Sequence, residues 1–284
     1  MIEQFESALQ GLLNFDAAAG DAATRYNALF KQMVSASMQI CGKTDFDDLV
    51  CQKIQAVETK YGAKIEFSED ATDAYKKLRE VVRFELARES ILANMDYEIC
   101  CTQNNLANAM GKFRNELDKI VPENQKEVVE SMGYSLYSDF TKYFVCTVFD
   151  MIADAKIYNM PEFRPLQLNA MGREIRTSVN VVMQQNAKPQ KSETVTNWFH
   201  LMMILPSFLF KKLYGVSLTE MFQVPQKQVD DAAHMYNIFV RSNESFVAGD
   251  EYKILLHFLA EMGLSECFTV RPKAKNSADK PVVN

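Results

Sequence analysis

A chain of 284 residues with 48% apolar side chains is long enough for one large domain or two smaller ones and can bury a sizeable core. Glycine (10) and proline (8) are few for that length, so breakers are scarce and long helices are favoured over a many-stranded β fold. The net charge of −6 and a pI near 5.3 weigh against a nucleic-acid partner, and none of the successive segments 1–60, 61–120, 121–200 and 201–284 is net basic.

The first ten residues, MIEQFESALQ, lack the basic and apolar regions of a secretory leader. The cysteines at 41, 51, 100, 101, 146 and 267 contain no C-x-x-C pair, which predicts reduced, mostly buried thiols in a cytoplasmic setting. Ile2, Phe5, Leu9, Leu12 and Leu13 recur at helical steps. A second helix is expected over roughly 21–40, with Gly42 as its stop. A third starts at Thr44-x-x-Asp47 and ends near Gly62. The stretch around 64–67 reads as a short extended piece. The acidic Ser68-Glu69-Asp70 then opens a helix running to residue 99.

Residues 102–120 carry another helical pattern, closed by Pro122. From Tyr134 to Ile157 the pattern is apolar nearly all round, as in a helix central to a core. Proline pairs at 160–161 and 164–165 break the chain before a helix over 166–185. The polar segment 186–192 reads as a linker. Beyond it, WFHLMMILPSFLF (198–210) is too short for a bilayer span of about 20 residues, so it predicts a buried helix and no transmembrane segment. Residues 217–241 give two short helices joined at Val224-Pro225. A loop follows over 242–249, then a helix over 250–262 with Gly263 at its end and a short strand at 268–271.

These elements predict an all-α fold, a multi-helix array of about ten to twelve helices with negligible strand content. Its main helical domain would be residues 1–185, a smaller C-terminal helical subdomain 193–272, and a flexible tail 273–284.

Chemistry is thinly written. No H-E-x-x-H, E-x-x-H, G-x-S-x-G, Walker or G-x-G-x-x-G motif occurs, no cofactor is indicated, and His200 and His257 sit in apolar surroundings that suit core histidines. Asp150 and Asp154, four apart, share one helix face. They are candidate metal ligands for a Mg-dependent helical enzyme, because hard cations take oxygen ligands. Lys76, Arg79 and Arg83 share a face of the 70–99 helix, interleaved with Glu80, Glu85 and Glu89, which reads as a solvated face of ion pairs.

Residues 218–236, LTEMFQVPQKQVDDAAHMY, resemble a helix-turn-helix motif, with Leu218, Phe222, Val224, Val229 and Ala232 at its apolar positions. Thr219 and Gln223 depart from its usual small residue and turn glycine. The resemblance implies that Gln226, Lys227 and Gln228 face a major groove, where amide and ammonium groups read base edges. The leading expectation remains a non-enzymatic helical interaction or assembly protein. It would have a protein partner or self-association, and a viral or phage structural component is one form it could take. A helix-turn-helix DNA binder and the aspartate–Mg enzyme are the alternatives.

Overall fold

The apolar steps at Phe5, Leu9 and Leu12 form α1 (Ile2–Leu13), which buries those three side chains with Ala8 and packs along α2 (Ala22–Cys41). This is a computed structural model, and it describes residues 1–16, 21–100, 102–187, 192–243 and 246–273, without the side chains of 124–126. Helix α3 (Phe46–Tyr61) starts one residue later than Thr44 suggests. Asp45 is the cap, its carboxylate accepting from the Asp48 amide, and the helix stops where Gly62 turns left-handed at φ 62°.

Helix α4 (Ala74–Leu92) corrects both expected ends. It begins at Asp73, whose side chain accepts from the Lys76 amide, because Ser68 is drawn off to Glu80, donating its backbone N–H to that carboxylate at 2.9 Å. It ends at Leu92 instead of 99, since Asn94 takes a left-handed φ of 57°. The next residues form strand β1 (Tyr97–Cys100), a segment expected to be helical. Its antiparallel partner β2 (Thr269–Pro272) comes from the far end of the chain, with Tyr97 opposite Pro272 and Cys100 opposite Thr269.

Thr102 and Asn105 form a capping box for α5 (Gln103–Leu117). The apolar helix α6 (Val129–Ile157) follows a 3-10 turn, and α7 (Arg164–Asn186) follows the proline breaks. Ser192 caps α8 (Glu193–Tyr214), accepting from the Val195 amide. The first of the two helices expected over 217–241 is a 3-10 turn, Thr219–Phe222, closed by Gln223 at φ 49°; the second is α9 (Gln226–Asn243). Helix α10 (Glu251–Glu261) ends against Gly263 at φ 67°.

Ten α-helices and one two-stranded sheet make up the described residues, an all-α multi-helix array. The core centres on two helices. α6 packs against α4, α5, α7, α8 and α10, and α8 against α1, α6, α7 and α9. One cluster of buried residues runs from Phe5 to Phe268 and continues across the expected 185–193 boundary. Residues 188–191 of the expected linker and 274–284 of the expected tail lie outside the described residues. Gly215, just past α8, has φ 69°, and a Cβ there would meet the Leu12 carbonyl carbon at 2.9 Å, so only glycine lets α8 close onto α1.

The 198–210 run is buried as expected. Leu201 to Leu205, Leu209 and Phe210 are all core, and Trp198 packs against Phe113 and Phe140. Among the described residues no helix is long and apolar enough to cross a membrane. Leu205→Asp removes a buried leucine and inserts a charge, which should cost more than about 3 kcal/mol and abolish the urea-unfolding transition or shift it far down. Leu205→Met, which conserves volume, should unfold within about 1.5 kcal/mol of wild type.

Candidate functional site

A cavity of about 730 Å³ opens between α4, α6, α7 and α8. One wall is charged. Arg79 on α4 is 9% exposed, and Asp154 on α6 is 2% exposed. Arg79 donates from Nε to Asp154 Oδ1 at 2.7 Å and from Nη2 to Oδ2 at 2.8 Å. The same guanidinium bonds Glu174 on α7 twice, at 3.0 and 2.8 Å. One turn along α4, Arg83 pairs with Asp150 on α6. The order 79–154, 83–150 shows that α4 and α6 run antiparallel here.

Behind the arginine lies a second layer. Tyr75 donates its hydroxyl to Asp154 at 2.5 Å, and Gln167 donates to the Asp154 carbonyl at 2.8 Å. Tyr214 on α8 donates to Gln167 Oε1 at 2.9 Å. Burial pushes the Tyr75 and Tyr214 hydroxyls well above their ordinary range, so both remain donors. Burial opposes the charge on Arg79, but Asp154, Tyr75, Asp150 and Glu174 outweigh it and hold the guanidinium firmly protonated. Burial also lifts the Asp154 and Glu174 carboxyls above their usual values, against the pull of Arg79.

The opposite wall is apolar and soft. Met151 on α6, Met171 and Ile175 on α7, and Met202 and Met203 on α8 line it. Pro206 lies within α8, lines the same wall, and has no N–H to give to the carbonyl four residues back, that of Met202. Around the whole cavity stand six carboxylates (Asp70, Glu80, Asp139, Asp150, Asp154, Glu174) and four cations (Lys76, Arg79, Arg83, Lys142). Arg83 Nε is buried without a hydrogen-bond acceptor. Cys146 also lines the cavity, and burial pushes its thiol up, the reverse of an activated nucleophile.

The structure thus brings together two sets of residues that the sequence presents separately. Asp150 and Asp154 share a face of α6, and the groups they meet are Arg79 and Arg83. Arg79 was expected on a solvated face and is instead buried, because three carboxylates from two other helices offset its desolvation. Among the described residues no group of three or more His, Cys, Asp or Glu side chains is arranged to hold a metal ion.

Gln226, Lys227 and Gln228 form the first turn of α9. Lys227 pairs with Asp231 at 2.7 Å and Gln226 donates to Asp230 at 2.9 Å. Gln228 turns inward, where its amide meets Asn197 and His200 Nδ1. His200 is a buried core histidine, also bonded to Gln185 at 3.1 Å, whereas His257 is exposed. Cys41, Cys51, Cys100 and Cys146 are free thiols that are exposed or half-buried, and of the described cysteines only Cys267 is fully buried. Compared with protein families, with curated proteins and with solved structures, the chain matches none.

If the Arg79–Asp154 contact organises this region, Arg79→Met should lower unfolding stability by about 3–5 kcal/mol by stranding a buried carboxylate. Adding Asp154→Leu should restore part of that loss, so the double variant falls short of the summed single losses in urea unfolding. Additive losses would show that the pair is not coupled.

Proposed function

We propose that this chain acts by binding and self-association, as a non-enzymatic helical interaction protein. The observation that carries this reading is a group of exposed apolar side chains where the chain enters α6. Val128, just before the helix, and Met132 and Tyr134 in its first turns are 42%, 40% and 45% exposed. Apolar side chains left in water at one end of a core helix are surface for a second chain to cover. The charged residues at the cavity support the same reading. Arg79 and Arg83 are engaged with Asp150, Asp154 and Glu174, and burial pushes the one thiol there, Cys146, up.

The two alternatives have less behind them. A DNA-reading α9 would present Lys227 already neutralised by Asp231 and Gln228 turned into the core. A Mg²⁺ ion at Asp150 and Asp154 would compete with two guanidinium groups already seated there.

Light scattering across a concentration series tests the proposal. A dimer or larger assembly is expected, and Met132→Glu should shift it to monomer while leaving the helical circular dichroism spectrum unchanged. A wild-type protein that stays monomeric at every concentration would overturn the reading.

A further inference from the structure

We propose that the cavity between α4, α6, α7 and α8 binds a cationic amphiphile, a molecule with an ammonium head and an apolar body. Its volume, about 730 Å³, falls within the roughly 300–1,000 Å³ of small-molecule sites. The apolar body has a wall to lie on, since Met151, Met171, Met202 and Met203 converge there. Methionine is unbranched and polarisable, so four of them can reshape around ligands of differing outline.

The charge count selects the head group. Near the buried network, Asp150, Asp154 and Glu174 face Arg79 and Arg83, one carboxylate in excess. Around the mouth, Asp70, Glu80 and Asp139 face Lys76 and Lys142, again one in excess. The excess holds at both depths, on a chain that is itself acidic. An ammonium group brings three donors and no acceptor. Acceptors remain for it: Asp150 makes both of its guanidinium contacts through Oδ1, leaving Oδ2, and Pro206 leaves the Met202 carbonyl without its helical donor. One acceptor is on the charged wall and the other on the methionine wall, so the head group can be held where the two walls meet.

One feature opposes this assignment. Arg83 Nε is buried with no acceptor, and an anionic head could take it. Such an anion would sit beside Asp150 and enter a cavity where negative charge is already in surplus, so the cation is favoured.

The test uses octylammonium and octanoate, which share a chain and differ in the sign of the head. Cys146 lines the cavity, and Cys51, exposed on α3, does not, so the two report separately in peptide-resolved maleimide labelling of the full-length protein. Octylammonium should slow labelling of Cys146 and leave Cys51 unchanged, with octanoate much weaker. Asp150→Asn should raise the octylammonium concentration needed for half-protection about tenfold, the loss of one charge-assisted contact. Because that variant also frees Arg83, Ser178→Phe provides a second check by filling the cavity from α7, and it should abolish protection while the thermal unfolding transition stays cooperative. Protection by octanoate equal to or stronger than that by octylammonium, or protection by neither, would overturn the proposal. The self-association reading is unaffected by either result, because it is read from light scattering without ligand.

Discussion

A guanidinium placed in a helical core must be surrounded before it can be tolerated. Desolvating Arg79 would cost several kcal/mol, and only carboxylates in good geometry offset that. They come from different helices: Asp154 from α6, Glu174 from α7, with Asp150 one turn away. The requirement therefore acts on helix placement. α4 must lie antiparallel to α6 at a fixed register, and α7 must approach both. Tyr75, Gln167 and Tyr214 extend the constraint to α8, since a carboxylate that accepts from Tyr75 and Arg79 leaves little freedom to the side chains behind it. Few other contacts in the molecule fix four helices at once.

The cavity follows from this arrangement. Apolar helices left to themselves close their gaps, because methionine and leucine fill space readily. Here α4 is held against α6 and α7 by charged groups that cannot be exchanged for apolar packing without stranding a charge. The gap beside them is bounded by a rigid polar wall and a deformable methionine wall. Pro206 adds to the second wall by interrupting the α8 hydrogen-bond ladder at the position that faces the gap.

Much of the helical array was legible because its signals are local. The steps at Phe5, Leu9 and Leu12, the Gly62 and Gly263 stops and the buried 198–210 run each rest on residues within a few turns of one another. The sheet was half legible. Gly263 sets β2 apart from α10, but no glycine or proline separates Tyr97–Cys100 from α4, and its partner lies near the end of the chain. Arg79 was misread for a related reason. Lysine, arginine and glutamate three and four residues apart look the same whether the face meets water or a neighbouring helix. What distinguishes them is the Asp150–Asp154 pair, whose contacts with Arg79 and Arg83 span 75 and 67 residues of sequence. Each half looked ordinary alone, and opposite charges on two apolar-flanked helix faces were the signal that could have joined them. His257 failed in the opposite sense, since Leu255 and Phe258 point inward from α10 while the imidazole and Leu256 point out.

The helix-turn-helix likeness shows how a local pattern can fit and still be put to other use. Phe222 and Ala232 are buried, as the motif needs, so the apolar positions of 218–236 do build a turn against a helix. The four-residue 3-10 turn before α9 is nevertheless too short to serve as a supporting helix. Its Thr219 hydroxyl bonds Ser207 on α8 at 2.9 Å, and Gln228 reaches His200 and Asn197 on the same helix. Of the three polar groups that a groove-reading helix would hold outward, Gln228 docks α9 to α8, while Gln226 and Lys227 bond aspartates of α9 itself. The segment is better understood as the clamp that covers the outer face of α8, leaving the face that carries Met202, Met203 and Pro206 turned toward α6, α7 and the cavity.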